Sequence, residues 1–170
     1  MKHAHSRKAE FDFRWPAVPL NVVLVHPEIP PNTGNVARLC AATGTRLHLV
    51  EPLGFQITNA QLRRAGLDYW DAVQVQVHPS WAACRTALGD ARLFLYSTGS
   101  SRRHDQVEYR PGDALVFGCE TKGLPDELLA AHADSVCGIP ILTQHVRSLN
   151  LSSAVAVVVY EALRQIDARG

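Results

Sequence analysis

From Leu20 onward, apolar positions fall into two alternating patterns. Short β-rich runs at Leu20–Val25, Leu47–Val50, Ala72–Val77, Arg92–Tyr96, Ala114–Phe117 and Ser135–Ile139 predict strands. Between them, the spacing predicts helices over Thr33–Thr43, Asn59–Gly66, Trp81–Leu88 and Asp126–Ala133. A long closing helix is predicted over Leu151–Asp167, where Val155, Val158, Val159, Ala162, Leu163 and Ile166 recur at helical spacing. Continuous apolar strands separated by helices indicate a parallel sheet covered on both faces, hence a single α/β domain over residues 20–170. Met1–Pro19 shows no period and mixes basic residues with Phe11, Phe13 and Trp15. It reads as an N-terminal extension, disordered at its start, whose aromatics pack onto the domain.

Composition narrows the class without naming a partner. A chain of 170 residues, 46% apolar and 19% charged, can bury a core without disulfides or metals. A net charge of +1 is silent on nucleic acid, because a local basic patch matters more than the sum. Cys40, Cys84, Cys119 and Cys137 are far apart and form no C-x-x-C pair, so neither a zinc site nor a disulfide framework is expected. Free thiols point to a reducing cytoplasm. No apolar run approaches the roughly 20 residues that span a bilayer, and the N-terminus lacks the apolar stretch of a secretory signal.

Chemistry is expected in the loops beyond the carboxyl ends of the strands, where open α/β sheets bind ligands. The first loop, His26–Asn35, is stiffened by Pro30-Pro31, and Asn32 or Thr33 is placed to cap the helix leading to Arg38. The second, Ser97-Thr98-Gly99-Ser100-Ser101, suits a ribose or phosphate but equally any turn. The third, Phe117–Pro125, carries Gly118 for close backbone approach and Gly123 for a positive φ; Glu120 and Lys122 can pair with each other. The fourth, Arg147-Ser148-Leu149-Asn150-Leu151-Ser152-Ser153, sets small hydroxyls and an amide at a helix start, which suits a cap and also a polar ligand. The spacings of the Walker loop and of the dinucleotide fingerprint are absent.

In order, Asn32-Thr33-Gly34-Asn35 with Arg38, Phe117–Pro125, and Ile139-Pro140 through Ser148–Ser152 resemble the three motif blocks of the SPOUT methyltransferases, S-adenosylmethionine enzymes that modify RNA. The resemblance runs from about Leu20 to the last helix. Pro27–Asn35, Leu47–Pro52 and Leu62–Tyr69 look like signatures of the subfamily that 2′-O-methylates the wobble nucleotide, cytidine or modified uridine, of leucine tRNAs. Two departures stand out: Cys119 where the family usually has proline, and Thr143-Gln144-His145 where an acidic-serine pattern is common.

The resemblance implies a C-terminal trefoil knot, a homodimer formed through the final helix, and a tRNA substrate bound by its anticodon arm. It implies that Tyr96, Gly118, Glu120, Ile139, Ser148 and Leu149 contact S-adenosylmethionine, largely through backbone groups. The motif arginine falls on Arg38, with Asn35, Asn150 and Tyr160 as further members of the catalytic set. An arginine is a poor general base, so Arg38 is expected to hold a phosphate and stabilise charge developing on oxygen. Arg46, Arg63, Arg64 and Arg147, with Arg102 and Arg103, are candidate RNA contacts; no metal is implied. The alternative reading is a catalytically silent RNA-binding module on the same fold.

Overall fold

Strands with two apolar faces are stable only where both faces are covered. A computed structural model describes residues 10–58 and 70–170 and has this arrangement. Strands β1 (Asn21–Val25), β2 (Arg46–Val50), β3 (Val75–His78), β4 (Leu93–Tyr96), β5 (Ala114–Phe117) and β6 (Val136–Cys137) form one sheet in the order β3-β2-β1-β5-β4-β6. The pairings are parallel throughout. The described helices are α1 (Pro30–Thr43), α2 (Trp81–Leu88), α3 (Asp126–Ala131) and α4 (Leu151–Arg169). The predicted helix Asn59–Gly66, with Arg63 and Arg64, lies outside the described residues.

Alternation along the strands divides the core. Val22, Leu24, Leu47, Leu49, Leu115 and Phe117 pack against Val36, Ala37 and Cys40 of α1 and Val155, Val158 and Val159 of α4. On the other face Val23, Val25, Val50, Leu95 and Val116 meet Cys84 and Leu88 of α2 and Leu128 of α3. Each buried Val or Leu contributes about 1.5–3 kcal/mol relative to exposure. A one-residue slip would exchange the two faces of a strand, so burial on both sides specifies register.

Most boundaries fall within two residues of expectation, and three departures have a clear local reason. Helix α1 starts at Pro30, not Thr33: the two prolines occupy its first turn, where a missing N–H costs nothing. Its N-cap is therefore Ile29, which has no capping side chain, and not Asn32 or Thr33. Strand β3 starts only at Val75, because Trp70–Ala72 forms a 3₁₀ turn. Strand β6 shrinks to two residues, since Ser135 closes another 3₁₀ turn and Gly138 bridges to Arg103.

The end of the predicted extension is anchored. Trp15 packs on the α1/α4 core and meets Tyr160 edge-on at 6.1 Å between ring centroids. The Arg14 guanidinium donates to the Gly170 carbonyl at 2.6 Å, and its backbone N–H to the Asp167 carboxylate.

Candidate functional site

The loops that follow β4, β5 and β6 converge at the carboxyl edge of the sheet around a cavity of about 580 Å³. Tyr96, Gly118, Glu120, Ile139, Ser148 and Leu149 all line it, as do Asn150 and Arg147. Ile139, Leu149, Leu124 and Ala154 supply apolar surface, and Ser97, Thr98, Thr121 and Ser148 supply polar groups. This mixture suits a ligand with one flat apolar part and several polar edges.

Tyr96 presents backbone here, not its hydroxyl. Its ring stacks on Phe117 (4.6 Å, 13° between planes), and its hydroxyl lies 3.0 Å from that of Tyr109, which in turn donates to the His104 carbonyl. Burial and the neighbouring phenol push the Tyr96 hydroxyl well above its usual range, so it stays protonated.

Gly118 is required for a reason other than ligand approach. A Cβ there would lie 2.0 Å from the carbonyl carbon of Gly123 and 2.1 Å from the Leu124 nitrogen. The loop folds back on itself, turned by Gly123 at φ +69°, and its own backbone fills the space a side chain would need. Cys119 sits inside this turn, its thiol directed at the Gly123 carbonyl at 3.6 Å.

Glu120 does not pair with Lys122. Its carboxylate accepts from the backbone N–H groups of Glu28 (2.8 Å) and Ile29 (3.0 Å) and from Asn32 Nδ2 (3.3 Å). The cap that α1 lacks locally is thus delivered by a residue 91 positions from Ile29, an anion at the positive end of a helix dipole. Asn32 continues the chain: its Oδ1 accepts from Asn150 Nδ2 at 3.0 Å. Asn150 Oδ1 then caps α4, accepting from Ser152 N (3.0 Å) and Ser153 N (3.4 Å). One polar chain, Glu120–Asn32–Asn150, therefore ties all three motif blocks together. Thr121 adds a second tie, donating to Glu28 at 2.7 Å. Hydrogen bonds from Cys119 and Thr121, with Lys122 nearby, hold the Glu28 carboxyl below its ordinary value.

Other expected residues lie elsewhere. Because α1 begins at Pro30 and not at Thr33, Arg38 is more than two turns into the helix; it and Asn35 are exposed and do not line the cavity. Asn32, Asn35 and Arg38 follow at intervals of three, so the row leads from the cavity along the helix, with Arg38 about 9 Å beyond Asn32 along the axis. Tyr160 and Val157, half-exposed on α4, also lie outside the cavity. Arg103 forms a two-pronged ion pair with Asp105, and Arg102 donates to the Asp134 carbonyl. Arg46 opens β2 at the opposite end of the sheet and donates to Gln74 at 2.9 Å. The carboxyl ends of parallel strands share one side of the sheet, so Arg46, at an amino end, lies on the side away from the cavity.

A parallel α/β sheet with its final loops folded into one cavity at the carboxyl edge defines a ligand-binding α/β domain. The chain belongs to the SpoU rRNA Methylase family, which matches residues 19–160. It is 53% identical over 154 residues to a protein of Burkholderia pseudomallei named tRNA (cytidine(34)-2'-O)-methyltransferase, covering 88% of this chain and 97% of that one. A solved structure described as giving insight into 2-OH methylation of C/U34 on tRNA superposes with a TM-score of 0.82 at 47% identity, covering 88% of this chain and 97% of that one. An AdoMet-bound rRNA methyltransferase from Sinorhizobium meliloti shares the fold at 24% identity and a TM-score of 0.75, covering 86% of this chain and 56% of that one.

Proposed function

We propose that this chain is an S-adenosylmethionine-dependent tRNA 2′-O-methyltransferase that acts in the cytoplasm, as a homodimer, on the wobble nucleotide of leucine tRNAs. The observation that carries the reading is the convergence of the three motif blocks on one cavity through Glu120, Asn32 and Asn150. Identity of about half to relatives named for this reaction, over nearly their whole length, supports the substrate class.

The cavity fits the cofactor by its chemistry. Ile139 and Leu149 offer apolar surface to an adenine, and backbone groups after Tyr96, Gly118 and Ile139, with Ser148, offer partners to its polar edges. When bound, S-adenosylmethionine would supply an electrophilic methyl to a ribose 2′-oxygen, whose proton would pass to solvent. Arg38 stabilises the charge that gathers on that oxygen and holds the adjacent phosphate. Asn35 and Asn150 orient polar groups of the nucleotide; Glu120 acts by fixing the start of α1. Arg147 at the rim, with Arg63 and Arg64, contacts tRNA phosphates.

Dimerisation through α4 brings Arg38, Asn35 and Tyr160 into reach of a nucleotide at the cavity. The outward apolar residues Val157 and Tyr160, with the exposed polar row of α1 on the helix packed beside them, support that interface. The final segment threads the preceding loop to make a trefoil knot. Support comes from Gly138, where a Cβ would lie 3.1 Å from the Ser97 carbonyl oxygen and 3.0 Å from that of Ser100. The return from edge strand β6 to α4, packed on α1, adds to it.

The test is methyl transfer from labelled cofactor to bulk tRNA, with nucleoside mapping. Label in 2′-O-methylated wobble nucleotides of leucine tRNAs is expected. Cofactor and tRNA binding without transfer would instead favour a silent RNA-binding module.

A further inference from the structure

On the face of the sheet covered by α2, a polar cluster interrupts the apolar core. Register sets His48 beside Gln76 and Val50 beside His78, so the two imidazoles share one face, two residues apart. Cys84, near the start of α2, packs over that face. All three residues are buried, and one donor atom from each lies within 4.8 Å of the others. The rings lie nearly parallel, 17° between planes, with His48 Nδ1 2.9 Å from His78 Nε2.

A hydrogen-bond chain fixes the tautomer. Asn21 Nδ2 donates to the Gly112 carbonyl at 3.1 Å, which turns Oδ1 toward His48 Nε2, also at 3.1 Å. That oxygen can only accept, so Nε2 carries the hydrogen and Nδ1 presents its lone pair to the cluster. A carbonyl oxygen on the far ring nitrogen is how metal-binding imidazoles are oriented. Strand β3 is the sheet edge, and His78 keeps slight exposure there, which gives an ion a way in.

We propose that His48 Nδ1, His78 Nε2 and Cys84 Sγ form a binding site for a borderline divalent cation of the Zn²⁺ class, with water as the fourth ligand. The two nitrogens need to part only from 2.9 Å to about 3.3 Å, the separation set by tetrahedral Zn–N bonds of about 2.0–2.1 Å. The His78 Nε2 proton moves to Nδ1, the Cys84 thiol loses its proton to solvent, and no electrons change hands. The cation's own charge makes the Cys84 sulfur a thiolate. Positions 48, 78 and 84 match no sequential ligand spacing, which is why the sequence pointed to no metal; only the fold assembles them.

The test is a Co²⁺ titration of the full chain carrying His3→Ala and His5→Ala, which removes the histidines of the N-terminal segment. One equivalent should produce visible d–d bands and a near-ultraviolet thiolate-to-cobalt band, both erased by Zn²⁺. Cys84→Ala should lose the thiolate band and bind at least about tenfold more weakly; Asn21→Ala should weaken binding about 10–100-fold while keeping the band. Asn21→Asp, which preserves the acceptor, should restore affinity. Absence of a band saturating at one equivalent in the parent, or uptake indifferent to Cys84→Ala, would overturn the site.

Discussion

Glu120 shows how a residue that lines a pocket can act on its ligand indirectly. Its carboxylate is spent on Glu28 N, Ile29 N and Asn32, so its effect on a ligand passes through the position of α1. Glu120→Gln removes the charge at the helix start and should lower stability by about 1–2 kcal/mol, read by urea denaturation; an unchanged midpoint would refute the capping role. Gly118→Ala should destabilise the chain as well as impair cofactor binding, because the added Cβ meets Gly123 and Leu124 backbone. A variant with parental stability that loses only cofactor affinity would point to ligand approach instead. Arg38→Ala should keep cofactor affinity within about twofold yet lose at least about 100-fold in transfer rate, as removal of one charge-stabilising group does. Full activity in that variant would exclude the role.

Among the elements, legibility followed local signals. Trp81–Leu88 and Ala114–Phe117 were readable to the residue, since Ser80 caps the first and both faces of the second are apolar. The start of α1 was misread because its cap is not local: proline opens the helix, and the acceptor comes from the loop after β5. For the same reason Asn150 was legible as a helix-start residue, while its bond to Asn32, 118 positions away, was not. The members of the candidate cavity came from the family resemblance, and the fold gathers Tyr96, Gly118, Glu120, Ile139, Ser148 and Leu149 around one space. Periodicity had no means of pairing His48 with His78 and Cys84, which meet only through parallel register and the packing of α2.

At the scale of the whole molecule, α1 and α4 present Asn35, Arg38, Val157 and Tyr160 on exposed surface rather than to the cavity. A monomer therefore leaves Asn35, Arg38 and Tyr160 apart from the proposed cofactor site, which Asn150 does line, and pairing through α4 is the simplest way to join them. Val157→Asp with Tyr160→Asp should convert a dimer to a monomer in sedimentation and abolish transfer, with α/β circular dichroism retained. A dimer that survives the double substitution would move the interface elsewhere. Arg14 braces the far end of α4 and Trp15 packs on Tyr160 at its middle; the family match begins only at residue 19, so both bracing residues lie outside the matched segment.

Methyl transfer to the wobble ribose is decided by nucleoside-resolved mapping of label moved from S-adenosylmethionine to bulk tRNA by the purified chain. Label is expected on the 2′-oxygen of the wobble nucleotide of leucine tRNAs, and its loss in Arg38→Ala. Label on a base, label at another tRNA position, or no transfer by a folded dimer that binds both cofactor and tRNA would contradict that assignment.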